Sequence, residues 1–118
     1  MLDEPEVNAK EKKRFNVPLG IYQGPYGYLR LRENDLVIKN KDMRECTIPY
    51  ELIEYVKYTE RSFWCWGRLT IRWKGNSYLP LPDTYAKELK DETTICHKYE
   101  DTDVFISIYH ALKDLIEE

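Results

Sequence analysis

The chain alternates most regularly between Gly67 and Leu81. Leu69, Ile71 and Trp73 fall on one side of an extended segment, and Thr70, Arg72 and Lys74 on the other. That spacing predicts a strand with one face on a core and one in water. It continues through a Gly75-Asn76 turn into a returning arm, Ser77 to Leu81, as a β-hairpin. Two registers fit. A two-residue Gly75-Asn76 turn sets Ile71 opposite Pro80 and turns Leu79 and Leu81 to the Thr70 side. A three-residue Lys74-Gly75-Asn76 loop pairs Ile71 with Leu79 and Leu69 with Leu81. The second is favoured, because a one-residue slip moves a whole apolar set into water.

The same alternation recurs upstream. Tyr28 to Arg32 and Leu36 to Lys39 flank Glu33-Asn34-Asp35, which predicts a hairpin turning at Asn34-Asp35. Leu31 then faces Ile38, with Leu29 and Leu36 on the same side, and Arg30 faces Lys39 on the outer side, a mildly unfavourable pairing of like charges. Pro18, Gly20, Gly24, Pro25 and Gly27 punctuate residues 17–27 into a strand entry and a turn. Cys46 and Ile48 share a face, Pro49 belongs at a strand end or edge, and Pro49-Tyr50-Glu51 turns a corner into Ile53, Tyr55 or Val56, and Tyr58. Phe63-Trp64-Cys65-Trp66 leads into Gly67. As a strand it includes both faces, so either both are covered or one of Trp64 and Trp66 lies at the surface.

Asp83 to Glu92 reads as a short helix capped by Asp83 or Thr84, with Tyr85, Leu89 and Ala86 inward. Thr93 to Tyr99 fits either a last strand or an irregular connection. Phe105, Ile108, Tyr109, Leu112, Leu115 and Ile116 follow helical spacing and predict an amphipathic helix of about four turns, capped by Thr102 or Asp103. The expected fold class is therefore mainly β with a C-terminal helix: a bent antiparallel sheet or partly open barrel of six to seven strands, closed by that helix.

Length and charge set the domain plan. With 118 residues the chain is long enough for one core. Residues 1–16 are rich in charge and poor in apolar side chains, and are expected to form a flexible arm before a single domain at 17–118. The arm's Lys12-Lys13-Arg14 cluster reads as a solvated run flanked by acids. The first residues lack the positive flank and apolar stretch of a secretory signal, which leads us to expect a cytoplasmic protein. Three cysteines without regular spacing read as reduced thiols. A net charge of −3 supplies no global field towards nucleic acid or an anionic bilayer, so nucleic-acid binding is not expected and a membrane surface is disfavoured.

Taken together, the Tyr28 to Lys39 hairpin, Ile48-Pro49-Tyr50-Glu51-Leu52-Ile53-Glu54-Tyr55-Val56, the Gly67 to Leu81 hairpin and the helix Val104 to Ile116 resemble the pleckstrin-homology-like superfamily, in particular its bacterial and GRAM-type members. The likeness covers roughly residues 20–118 and rests on pattern, with no invariant chemical signature. It implies a non-enzymatic binding module for phosphoinositides, for peptides or proteins, or for further copies of itself. Strong lipid binders of this superfamily carry Lys and Arg between the first two strands. Here that loop is Glu33-Asn34-Asp35, acidic instead, which disfavours that use.

Two candidate surfaces follow. Tyr55, Tyr58, Trp64 and Trp66, beside Trp73, are expected to leave aromatics exposed where a protein partner or a second copy docks. Arg30, Arg32, Lys39, Lys41 and Arg44 form the alternative, an anion or lipid-headgroup site joined by Arg68 and Arg72, although Glu33, Asp35, Asp42 and Glu45 interleave with them. Cys96-His97 invites a nucleophile or metal reading, but strand neighbours point to opposite faces and the chain has neither CxxC nor HxxxH. With no glycine-rich phosphate loop, GxSxG or HExxH motif, we expect no catalytic residues, metal site or cofactor.

Overall fold

Hairpin chemistry builds the first half of the fold. The computed structural model describes residues 18–117. The predicted arm at 1–16, its Lys12-Lys13-Arg14 cluster and Val17 lie outside the described residues. The strands are β1 (Gly20–Gln23), β2 (Gly27–Leu31), β3 (Asp35–Asn40), β4 (Cys46–Pro49), β5 (Ile53–Thr59), β6 (Gly67–Trp73) and β7 (Thr94–His97). A short helix, α1 (Tyr85–Glu88), precedes β7, and α2 (Thr102–Ile116) follows it. One antiparallel sheet runs β1-β2-β3-β4 and a second runs β5-β6-β7. No strand pair joins the two sheets among the described residues, so the expected mainly β architecture is a pair of open sheets closed by a helix, without a sealed barrel. No described helix is long and apolar enough to cross a membrane.

Leu29, Leu31, Leu36, Ile38 and Ile48 from the first sheet meet Val56, Leu69, Ile71 and Ile95 from the second, and α2 closes the gap with Phe105, Ile108 and Leu112. Burial of that helix stripe is what the i, i+3, i+4 spacing requires, and each such side chain contributes about 1.5–3 kcal/mol of transfer free energy. Helix α2 starts one residue early: its N-cap is Asp101, and Thr102 instead donates its hydroxyl to Tyr99 O at 2.6 Å. Between the sheets, Pro49 ends β4, as its missing N–H demands, and Tyr50–Leu52 turns the corner as a 3-10 turn. A register shift between Ile53 and Tyr55 then decides which side chain goes inward: Val56 is buried and Tyr55 exposed.

Several expectations are corrected. In the first hairpin Leu29 pairs with Ile38 and Arg30 with Val37, two residues away from the predicted register. The turn centres on Glu33-Asn34 because Arg32 clamps Asp35, donating its backbone N–H to Asp35 O at 3.0 Å and its side chain to both carboxylate oxygens. A shift of two keeps every side chain on its predicted face but dissolves the expected Arg30–Lys39 pair, and Lys39 lies opposite Tyr28. Phe63 to Trp66 is a loop and not a strand.

The largest correction concerns the Gly67 to Leu81 hairpin, which does not form. Strand β6 pairs with β5 and β7, and residues 74–78 are turns followed by a bend at Leu79. Asn76 diverts the chain. Its backbone N–H donates to Trp73 O at 2.8 Å, its Oδ1 accepts from Trp73 N at 2.8 Å, and its Nδ2 donates to Thr93 Oγ1 at 3.0 Å. The supposedly solvent-facing side of β6 is buried as a result: Arg72 is 3% exposed and Thr70 equally covered.

What covers them is the segment from Leu79 to Thr93. Arg72 grips Asp91 with two parallel bonds of 2.8 and 3.1 Å, and its remaining N–H groups reach Leu79 O, Pro80 O and Thr93 Oγ1. All five guanidinium donors thus have acceptors. Thr94 donates to Asp91 Oδ2 at 2.6 Å, so the 2.9 Å contact between Thr70 and Thr94 has Thr70 as donor. Asn40 Nδ2 donates to Asp91 O at 2.6 Å just beyond α1. In α1 the buried side chain is Glu88, not Ala86, which is exposed; Tyr85 and Leu89 are half-buried. Thr84 caps it by accepting from Lys87 N at 3.2 Å, and Thr93 to Tyr99 contains the last strand, β7.

Removing the carboxylate that faces a buried guanidinium leaves an uncompensated charge. Asp91→Ala should lower the unfolding free energy by about 3–5 kcal/mol in urea titration. Asp83→Ala, which breaks an exposed pair with Lys87, should leave the midpoint where it is.

Candidate functional site

The connection between β5 and β6 is too rich in aromatic surface to be explained by the core. Ser62 N–H donates to Cys65 O at 3.0 Å, and this tight turn throws Phe63 and Trp64 outward. They are 85% and 84% exposed, with ring centroids 4.5 Å apart. Trp66, less exposed, forms the inner wall. Across from them Tyr99, at the start of the turn leading to α2, carries the Arg61 guanidinium over its ring at 4.1 Å. Arg61, Phe63, Trp64, Trp66 and Tyr99 thereby line an open cleft of about 280 Å³. Arg61 lines the cleft with its guanidinium held on the Tyr99 π-face, and among the described residues it has no ion-pair partner.

The loop's exit is anchored. Trp66 N–H donates to Tyr85 Oη at 3.3 Å, and Arg68 donates to Trp66 O at 2.9 Å while pairing with the buried Glu88. Arg68 also lies over the Tyr85 ring at 5.0 Å. The α1 segment that shields Arg72 therefore also braces the aromatic loop.

Of the four aromatics expected to form a partner surface, Trp64 and Trp66 line this cleft together. Tyr55 is exposed but sits on β5 opposite Arg72 of β6, away from the loop. Tyr58 is turned inward: its hydroxyl meets His97 Nε2 at 2.8 Å and its ring stacks on the His97 ring at 5.7 Å. Burial, with Glu60 nearby, pushes its phenol pKa above the ordinary value. Tyr58 is thus a packing residue. Phe63, Arg61 and Tyr99 complete the cleft and were not singled out from sequence. Phe63 carried a signal in its aromatic run, whereas Tyr99 is brought alongside only by β7.

His97 has no solvent exposure and stacks between Tyr58 and Phe105, the latter at 4.7 Å. Its Nδ1 lies 2.7 Å from Lys98 O, an acceptor, so Nδ1 carries the proton and Nε2 accepts from the Tyr58 hydroxyl. Both ring nitrogens are thereby committed. The ring also explains Gly67, where any Cβ would collide with the imidazole. Cys96 lies on the opposite side of β7, as alternation predicts, and burial pushes its thiol up to about 11, far from the range of a nucleophilic thiolate. Among the described residues no three His, Cys, Asp or Glu side chains converge in a way that could hold a metal ion.

The alternative anion set is dispersed and largely engaged. Arg32 pairs with Asp35 and Arg44 with Glu92, each at 2.6–2.7 Å. Lys39 Nζ donates to Lys41 O and Met43 O at 2.8 and 2.9 Å, and Lys41 lies over Tyr26. Arg30 stands between Ile21 and Val37 on the outer face of the first sheet, in a shallow cleft of about 310 Å³. Arg68 and Arg72, expected to extend this patch, are instead paired with Glu88 and Asp91 behind β6.

No protein-family model matches the chain, and comparison with curated proteins and with solved structures likewise gives no significant match.

The cysteines offer a direct check of this geometry. Alkylation at neutral pH followed by mass spectrometry should label Cys65, on the loop, well before Cys46 and Cys96, which react only as the protein unfolds. Equal labelling of Cys96 would contradict its burial within β7.

Proposed function

We propose that this chain is a non-catalytic binding module of pleckstrin-homology-like architecture, working in the cytoplasm, whose recognition element is the aromatic cleft between the β5–β6 loop and Tyr99. A four-stranded and a three-stranded sheet closed by a C-terminal helix support the architectural likeness, which remains an analogy of form. The observation that carries the functional reading is the pair Phe63 and Trp64, almost wholly in water and in mutual contact, on a loop whose base is fixed. Two adjacent large rings gain nothing from such exposure in the isolated domain, and rigid aromatic side chains are the usual anchors of protein contacts. A partner presenting apolar surface and a carboxylate satisfies both the rings and Arg61.

The reading in which Arg30 and its neighbours bind an anion or lipid headgroup is weaker, because Arg32, Lys39 and Arg44 each have to give up an internal partner first. Catalysis is not part of the proposal: the two residues that invited it, Cys96 and His97, are buried on opposite faces of β7.

Since Phe63 and Trp64 hold nothing together, Trp64→Ala should leave thermal unfolding within about 0.5 kcal/mol of the wild type. It should weaken partner capture by roughly 30-fold or more, the effect of losing an interface anchor. Paired pull-downs with immobilised wild type and variant measure this. Identical retained proteins would remove the aromatic cleft from the account, and salt-sensitive co-sedimentation with anionic vesicles lost in Arg30→Ala would move function to the first sheet.

A further inference from the structure

At the far end of β6 the chain carries a segment that is the chemical complement of the cleft. Tyr78-Leu79-Pro80-Leu81-Pro82-Asp83 holds two prolines, each of which biases itself and the residue before it towards an extended, polyproline-like backbone. Its inner edge is fixed, because the Arg72 side chain donates to Leu79 O and Pro80 O. Its outer edge faces water: Tyr78 and Leu81 are both exposed large side chains, and Asp83 follows them at the surface. A preformed proline-leucine ridge loses little entropy on binding, and aromatic-lined grooves are the surfaces that accept such ridges.

Cleft and ridge share no lining residue: the ridge is anchored by Arg72, a strand length of roughly 20 Å from Trp66, and beyond Asp83 the chain runs back to the base of the loop, where Tyr85 meets Trp66. Charge matches across copies as well: Arg61, which has no ion-pair partner among the described residues, faces the cleft, and Asp83 ends the ridge in an exposed pair that water already weakens. We propose that the occupant of the aromatic cleft is the Tyr78–Asp83 ridge of a second copy of this chain, with Trp64 and Trp66 receiving Pro80 and Leu81 and Arg61 meeting Asp83. The contact is head-to-tail, so a pair keeps one free cleft and one free ridge, on different molecules, and association continues into rings or filaments. This rests on the reading of the aromatic loop as the recognition element.

Complementation tests it. Wild type should sediment above its monomer mass in a concentration-dependent way, while Trp64→Ala and Leu81→Asp should each weaken self-association about tenfold or more and remain folded by circular dichroism. Mixed in equal amounts, the two variants should form a dimer that neither forms alone, because one supplies an intact ridge and the other an intact cleft. Tyr78→Ala replaces Leu81→Asp if the latter does not fold. A wild type that stays monomeric at millimolar concentration overturns the proposal, and so does a mixture that stays monomeric after both single variants dissociate. If the wild type is monomeric yet retains a protein that Trp64→Ala loses, the cleft reading stands and the second copy alone is excluded. If it is monomeric and retains nothing, both fall.

Discussion

The fold depends on the pairing of Arg72 with Asp91 behind the second sheet. A guanidinium and a carboxylate so nearly removed from water are costly to bury, and the pair persists because every donor of Arg72 has an acceptor in the segment it holds. The consequence is geometric more than energetic. A strand that alternation would leave half in water acquires a second covered face, and residues that would form a returning hairpin arm are laid across it instead. Thr93, Thr94 and Asn76 share the same network, so the direction of the chain after Trp73 and its entry into β7 are set by one polar cluster.

From that cluster the constraint runs to the surface at both ends of β6. Towards its start, α1 brings Glu88 to Arg68 and Tyr85 to Trp66, which fixes the base of a loop whose tip is almost entirely aromatic and exposed. Towards its end, the carbonyls of Leu79 and Pro80 are pinned and their outer flank is presented. A buried polar network thus anchors the bases of two exposed apolar surfaces, and under the proposed function that anchoring lowers the ordering cost of binding.

Local periodicity made part of this legible. The stripe Phe105, Ile108 and Leu112 needs only helical spacing, and the core faces of β2 and β3 survive a register error of two because side chains alternate with period two. The turn itself was misplaced because Arg32 and Asp35 hold it through a side-chain clamp that turn propensity does not contain. Arg72 was placed in water because alternation describes a strand and says nothing about what later folds over it. Of its partners, Asp91 is expected near the end of a helix that in fact stops at Glu88, and Thr93 opens a stretch that fits either a strand or an irregular connection. Trp64 and Trp66 stand out in the sequence as aromatic excess, whereas nothing local to Tyr58 shows that sheet pairing brings its hydroxyl partner His97 to it.

The 76–93 segment belongs to the folded unit through its polar clamp on β6. Native-state amide hydrogen exchange across a urea series tests it most directly. The amide of Ile71, whose acceptor is Thr93 O at 2.9 Å, and that of Asn76 should exchange through the same global opening as Leu69, while those of Phe63 and Trp64 exchange freely. Exchange of Ile71 and Asn76 at the rates of an open loop, with Leu69 still protected, would show the segment to be loosely attached and contradict the account.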